Sequence, residues 1–278
     1  MGKYFVSFST LLKGKQNASV KQDVHATQLM RNIDNTLPTG ESTVDYVCLD
    51  SPADGSCFYH SISILLQGNS GLSNDLRRAN TKELQENTDA YIDELKKMVN
   101  EDEEEFTVML HAILHQTSID YDESPEQWIK NEVEKAGDSN CFNDISWSSI
   151  LQVMGLATVL HMNIRSIYPA VIEGATKAWH HKTFKPVREI QDSGLRNCVK
   201  EGCLEDLIIF WTRFNPRDTK SMPNHVVPVV NMSKVSDISP VVQNTGNTVN
   251  STSDFNQKLM IVLILYLFHQ IAHYFKLI

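Results

Sequence analysis

The sequence predicts an α+β fold in which helices flank a small mixed or antiparallel sheet. Amphipathic helical patterns dominate the first half of the chain, whereas β-prone segments dominate the second. The chain has 278 residues, 41% of them hydrophobic, which is enough for one well-buried domain with tails. No internal repeat is visible in the sequence.

The first elements surround a break in the hydrophobic pattern. Segment 42–50, STVDYVCLD, alternates like a strand until Pro52 and Gly55 interrupt it. A helix is expected to begin at Cys57, with Gly68 as its C-cap. The apolar residues that share one face of this helix are Phe58, Ile62, Leu65 and Leu66.

Further helices and then strands are predicted along the rest of the chain. Ser124 as N-cap and Pro125 at the first helical position start one of the helices. The helical segments are 73–87, 88–116, 124–137 and 146–160. The β-prone segments are MNIRSIYP at 162–169, HKTFKPVREI at 181–190, DLIIFWTRF at 206–214 and NHVVPVV at 224–230.

The composition divides the chain into four regions. Residues 1–43 are expected to form a polar, partly disordered extension with at most one loose helix, and 44–231 the folded domain. A Ser/Thr/Asn-rich linker, 232–257, precedes an apolar tail helix at 258–278. The tail is borderline for the roughly 20 apolar residues of a spanning helix. It fits a membrane anchor, a packed helix or an artefact of the gene model.

Charge and cysteine content narrow the class of protein. The formal net charge is −9, and the acidic run at 101–105 fits a solvated face or a basic protein partner. This balance argues against nucleic-acid binding, which needs a basic surface. The odd number of cysteines and the lack of a signal peptide favour a reduced, cytoplasmic or nuclear protein, with membrane contact only through 259–278. The five cysteines are Cys48, Cys57, Cys141, Cys198 and Cys203.

The stretch PADGSCFYH, 52–60, contains the parts that a thiol nucleophile needs. Gly55 permits a sharp turn, and Cys57 lies at the predicted N-terminus of a helix. Unpaired N–H groups there favour a thiolate and can stabilise an oxyanion. A base must come from elsewhere in the chain, and His225 lies in a credible strand. The alternative is that Cys57 is a small core residue.

Four segments, in order, resemble the ovarian-tumour (OTU) domain cysteine proteases, most of which are deubiquitinases. Asp54, Gly55, Cys57 and Phe58 match the family's Asp-Gly-x-Cys-aromatic motif. The resemblance covers roughly 44–231 and implies a papain-like fold of the OTU type, in which an N-terminal helix carries the nucleophile. The matching segments are 52–67, 76–95, 146–169 and 223–230.

The resemblance also implies roles for individual residues. Cys57 would be the nucleophile, and His225 the general base and then the acid. Asp54 would order the oxyanion loop, to which Cys57 contributes its N–H. The implied reaction is thioester-mediated hydrolysis of isopeptide bonds in conjugates of ubiquitin or a ubiquitin-like protein, without cofactor or metal. The alternatives are an inactive OTU-like module that binds such a partner, and an OTU-fold protease with a different substrate.

One position departs from the family pattern. Many members have Asp or Asn two residues after the catalytic histidine, whereas this chain has Val227. Other candidates for orienting the imidazole are Asn224, Asp50 and Asp45. From sequence alone, replacing Val227 by Asp or Asn is expected to be harmless or beneficial.

Other metal-ligating and catalytic patterns are weaker. Cys198 and Cys203, with His180 and His181, have looser spacing than a structural zinc site. The pair formed by residues 111 and 115, both histidine, lacks the glutamate of a zinc-protease helix. The histidine at 60 follows Cys57 on the same helix and is not expected to be the base.

Overall fold

The computed structural model describes residues 21–33, 39–114, 118–137, 148–169, 175–189, 206–212 and 223–232. The helices within these ranges are α1 (Val24–Ile33), α2 (Cys57–Gln67), α3 (Ser73–Glu86), α4 (Thr88–Met98), α5 (Glu103–Ile113), α6 (Pro125–Gly137), α7 (Ile150–Leu160) and α8 (Ala175–His180). The strands are β1 (Tyr46–Cys48), β2 (Asn163–Ile167), β3 (Lys182–Phe184), β4 (Asp206–Thr212) and β5 (His225–Asn231). This architecture confirms the predicted α+β class.

The described strands form one mixed sheet in the order β1-β5-β4-β2-β3. Strands β2 and β4 run parallel, and the other neighbouring pairs are antiparallel. Strand β5 therefore lies inside the sheet, hydrogen-bonded to β1 on one side and β4 on the other.

Side chains alternate between two apolar clusters on the two faces of the sheet. The α2-side cluster contains most of the helical core and takes Val226 and Val230 from β5. The α1-side cluster takes Val227 and Val229 from the same strand. The other buried members of the α1-side cluster are Ala26, Met30, Tyr46, Cys48, Ile167, Ile208 and Phe210.

Helix α1 lies within the segment predicted to be an extension. Its Ala26 and Met30 are buried in the α1-side cluster. Arg31 donates a hydrogen bond of 3.0 Å to the Tyr46 carbonyl, and Thr27 accepts one of 2.9 Å from the Cys48 N–H. The packed part of the chain thus extends upstream of the boundary predicted at residue 44.

Local signals set the bounds of the helices that position the site. Helix α2 begins at Cys57 and ends before Gly68, which adopts φ +82° and donates its N–H to the Ile64 carbonyl. Helix α7 begins with a capping box between Ser149 and Gln152. Both helices lie near the positions predicted from sequence.

The predicted linker and apolar tail, 232–257 and 258–278, lie outside the described residues except for the first residue of the linker. Among the described helices, none is long and apolar enough to cross a membrane.

Candidate active site

The turn before α2 presents the first N–H groups of the helix. Gly55 has φ +84°, a conformation that favours glycine because a Cβ atom would be strained there. Ser56 occupies the N-cap position but makes no side-chain capping bond. Its hydroxyl instead accepts a 3.3 Å hydrogen bond from Arg77 of α3. The side chain of Ser56 therefore does not occupy the N–H groups that surround Cys57.

Two buried hydroxyls attach the start of α2 to strand β5. Ser61 Oγ lies 2.9 Å from the Val226 carbonyl oxygen and 2.7 Å from that of Cys57. Ser51 Oγ lies 3.2 Å from the same Cys57 oxygen and 3.3 Å from Ser61 Oγ. A hydroxyl has one proton to donate. When Ser51 donates to the Cys57 carbonyl, Ser61 can donate to the Val226 carbonyl, and this hydrogen bond joins the helix to the strand.

The thiol of Cys57 faces the same part of β5. Burial raises the pKa of this thiol above its ordinary value, and the nearby Asp54 carboxylate acts in the same direction. Hydrogen bonds from the backbone N–H groups of Val226, Phe58 and Cys57 itself act in the opposite direction but do not reverse the shift. The predicted lowering of the pKa by the helix N-terminus is therefore outweighed, and a base is needed to form the thiolate.

His225 is the first residue of β5 and is only 2% exposed. It pairs with Thr212 of β4 and precedes Val226, whose N–H contacts the Cys57 sulfur. The structure thus brings the predicted nucleophile next to the strand end that carries the predicted base.

Asp54 points its carboxylate to α2. His60 Nε2 lies 3.0 and 2.9 Å from its two oxygens, and Oδ1 also accepts the Ser56 N–H at 3.0 Å. Burial pushes the pKa of Asp54 upward, but the hydrogen bonds from His60 and Ser56 outweigh burial and lower it. These hydrogen bonds therefore hold the carboxylate within the loop.

The register of the sheet separates the carboxylates proposed to orient His225. Asp45 adjoins Tyr46, which pairs with Asn231 at the far end of β5, roughly 20 Å from His225 at the usual rise per residue. Asp50 lies at the other end of β1. The Leu49 N–H donates to the Pro228 carbonyl at 2.9 Å, and the Asp50 N–H donates to the Lys21 carbonyl at 2.7 Å. Continuing the pairing of β1 with β5 beyond Leu49 by one residue would place the exposed Asp50 opposite Val227 and diagonal to His225.

Neither Val227, at the position that many relatives use, nor the candidate Asn224 is suited to orient the imidazole. Val227 is completely buried in the α1-side cluster and cannot accept a hydrogen bond through its side chain. Asn224 donates its N–H to the Thr212 carbonyl at 3.2 Å and is exposed just before the strand.

The histidines considered as metal ligands have other partners. Buried His180 contacts the Thr176 carbonyl through Nδ1, and burial lowers its pKa to about 4. His181 Nδ1 accepts the Tyr168 N–H at 3.2 Å. His111 stacks on an exposed tyrosine, 5.6 Å between ring centroids. No group of three potential ligands occurs in the described part of the chain, while positions 115, 198 and 203 lie outside it.

Sequence reasoning missed two contributors to the site. Ser61 was hidden in the apolar stretch SISILL, although a polar residue one turn after Cys57 was a usable signal. The pairing of His60 with Asp54 was also missed, because a loop and a helix bring them together in a way that spacing alone does not reveal.

Comparison with known proteins identifies a family that this chain resembles. A family model described as "Vertnin, OTU domain" matches residues 49–212, more than half of the chain. The match includes Asp54 and Cys57 and ends at Thr212, before the strand that carries His225. No curated protein matches the chain.

Proposed function

This chain belongs to the OTU-domain family that the Vertnin model describes, and from that premise we propose that it is a cysteine-type hydrolase. Its substrates would be conjugates of ubiquitin or a ubiquitin-like protein, and the bond cleaved would be the isopeptide bond. We place this activity in the cytoplasm or nucleus, where a free thiol stays reduced.

One observation supports this activity above the others. The Asp-Gly-x-Cys turn is hydrogen-bonded, through Ser61 and the Cys57 sulfur, to the residue that follows His225. A thiol that merely filled the core would need no such connection to a histidine-bearing strand. The connection fixes the helix that bears the nucleophile against the strand that bears the base.

The proposed reaction begins with proton transfer from Cys57 to His225. The thiolate attacks the carbonyl carbon of the isopeptide bond, and the Cys57 N–H stabilises the resulting oxyanion. The tetrahedral intermediate collapses as His225 protonates the departing lysine amine, which leaves an acyl thioester on Cys57. Water, deprotonated by His225, then hydrolyses the thioester and releases the carboxylate and the free thiol.

We assign the orienting role to Asp50 because of its register. It follows the strand next to β5, and continuing the pairing of Leu49 with Pro228 by one residue would align it with the position where many relatives have Asp or Asn. A carboxylate there can accept a hydrogen bond from the imidazole and stabilise the imidazolium that forms.

A binding module without hydrolytic activity is the second candidate. Two observations favour it: the apolar side chain of Val227 at the usual orienting position, and the raised pKa of the Cys57 thiol. Such a module would retain the surface for a ubiquitin-like partner and lack turnover.

The test uses the full chain and ubiquitin with a thiol-reactive electrophile at its C-terminus. We expect covalent labelling of the wild type, none for Cys57→Ala, and at least a tenfold slower rate for His225→Ala and Asp50→Asn. Asp45→Asn is the matched control, because Asp45 adjoins the far end of β5, and it should label like the wild type. Reversible binding of ubiquitin without labelling would favour the binding module.

Failure to label or bind ubiquitin, in a protein that unfolds cooperatively, would contradict the ubiquitin assignment. The same probe built on other ubiquitin-like proteins then tests the wider substrate class. Labelling that persists in Cys57→Ala would refute the nucleophile.

A further inference from the structure

The loop formed by Asp54, Gly55 and Ser56, hereafter the DGS loop, is held by a side chain from α2. His60 Nε2 contacts both carboxylate oxygens of Asp54, and Oδ1 of that carboxylate also accepts the Ser56 N–H. A second link joins the same two residues through the backbone, because the main-chain N–H of His60 donates to the Ser56 carbonyl at 2.9 Å. The DGS loop is thus fastened to the first turn of α2 on two sides.

His60 is the anchored member of the pair. Its side chain is 12% exposed, whereas that of Asp54 is 59% exposed. The carboxylate lies on a loop whose central Gly55 contributes no side-chain contacts, so the loop depends on hydrogen bonds for its conformation. The histidine, in contrast, is fixed by the helix and by burial.

The geometry also determines which ring nitrogen of His60 carries a proton. Both carboxylate oxygens accept, so Nε2 must carry the donated proton. His60 Nδ1 is buried and has no hydrogen-bond partner among the described residues. The side chain therefore acts toward the loop as an N–H donor, and a neutral amide donor of similar reach can substitute for it.

The same bond affects the charge next to the nucleophile. The Asp54 carboxylate is close enough to Cys57 to disfavour the thiolate and to contribute to the raised pKa of this thiol. An N–H donor on the carboxylate withdraws part of this negative charge from the sulfur. Loss of His60 would therefore disturb both the loop and the thiolate.

We propose that His60 is a positioning residue, which holds Asp54 and thereby fixes the DGS loop and the Cys57 N–H that receives the oxyanion. This role deepens the proposed hydrolase function and rests on it. The fastening of the loop, however, can be measured without turnover.

The first experiment measures hydrogen exchange of the amides from Gly55 to Phe58 in the full chain. We expect His60→Leu, which removes the donor, to speed exchange there at least tenfold. His60→Gln keeps a donor and should stay within about threefold of the wild type. In an Asp54→Asn background, which weakens the acceptor, His60→Leu should have a much smaller additional effect.

A control variant separates this effect from a general loss of stability. His161, also 12% exposed, pairs with Glu189 at 3.4 Å and follows α7 at the opposite end of the sheet. His161→Leu should leave exchange at 55–58 unchanged after correction for global unfolding. Equal exchange in the wild type and His60→Leu would overturn the proposal.

The second experiment measures hydrolysis of a ubiquitin C-terminal amide. His60→Leu should lower kcat ten- to hundredfold with little change in KM, because a displaced N–H affects the transition state more than substrate binding. His60→Gln should recover most of the rate. Equal losses in both variants would overturn the positioning role.

The two experiments distinguish the possible failures. A wild type that hydrolyses no substrate but shows the expected exchange pattern contradicts the proposed function and leaves the fastening of the loop supported. An active wild type whose exchange and kcat are insensitive to His60→Leu contradicts the His60 inference alone.

Discussion

Replacement of Val227 by asparagine tests whether the usual orienting position can accept a polar side chain in this protein. Val227 is completely buried among apolar residues that include Met30 of α1 and Phe210 of β4. Loss of its burial costs about 1.5–3 kcal/mol. An amide without a hydrogen-bond partner there costs about 1–3 kcal/mol more.

The expected decrease in the free energy of unfolding is therefore about 2.5–6 kcal/mol. This is a large part of the roughly 5–15 kcal/mol that stabilises a typical domain. Urea unfolding of the wild type and Val227→Asn measures it directly. Val227→Ala isolates the cost of the cavity, and the nearly isosteric Val227→Thr isolates that of one hydroxyl.

The result that would refute this reasoning is a Val227→Asn variant as stable as the wild type that labels faster with the ubiquitin probe. Such a variant would mean that the new amide hydrogen-bonds to the His225 ring and that the surroundings of residue 227 accept a polar side chain without cost. From sequence alone, the substitution was expected to be harmless or beneficial. The burial of Val227 in the α1-side cluster predicts instead that the substitution destabilises the protein.

Three further predictions concern the Cys57 thiol, the attachment of α2 to β5, and the packing of α7 against α3. Because burial raises the pKa of Cys57, its alkylation by iodoacetamide should keep accelerating above about pH 8.5, and a plateau below pH 7 would contradict this. Ser61→Ala leaves the Val226 carbonyl without its donor, so urea unfolding should show a loss of about 1–3 kcal/mol; a loss below about 0.5 kcal/mol would mean that the bond is replaced. In Gly155→Ala the new Cβ would clash with Asn80 Oδ1 and with the side chain of Leu84. The gain of about 1 kcal/mol in helix propensity should be outweighed by overpacking of about 1–3 kcal/mol, so Tm should fall rather than rise.

The elements nearest the nucleophile were predictable because local chemistry determines them. Cys57 follows a turn with a glycine at positive φ, and Gly68 ends the helix in the left-handed region. Pro125 similarly starts a helix at a position where its missing N–H is harmless. These signals act within a few residues and depend little on the rest of the fold.

Helix α1 could not be predicted because its stability comes from tertiary packing. A ten-residue helix is marginal by itself in water. The burial of Ala26 and Met30 against β1 and against β4, which is much more distant in sequence, supplies the missing stabilisation. The raised pKa of Cys57 was unpredictable for the same reason, since burial by distant residues outweighs the local N–H groups.

The register of β5 was also beyond sequence reasoning, although its position in the sheet can be explained afterwards. Pro228 lies in an inner strand, where a missing N–H usually breaks a ladder. Its carbonyl accepts the Leu49 N–H on the β1 side, and β1 ends at Cys48. The N–H that Pro228 lacks would therefore lie where the hydrogen bonds between β1 and β5 end, so its absence costs little stability.

The two faces of β5 have separate consequences for the proposed chemistry. Val226 contacts the helix that carries the proposed nucleophile, whereas His225 and Val227 belong to the opposite, α1-side face. A raised pKa at Cys57 makes proton transfer to His225 costly, by about 1.4 kcal/mol for each unit of difference. A carboxylate that stabilises the imidazolium would offset this cost. Since Val227 provides no such group, the proposed activity requires a carboxylate from elsewhere, and we propose Asp50, which lies two residues beyond the end of β1.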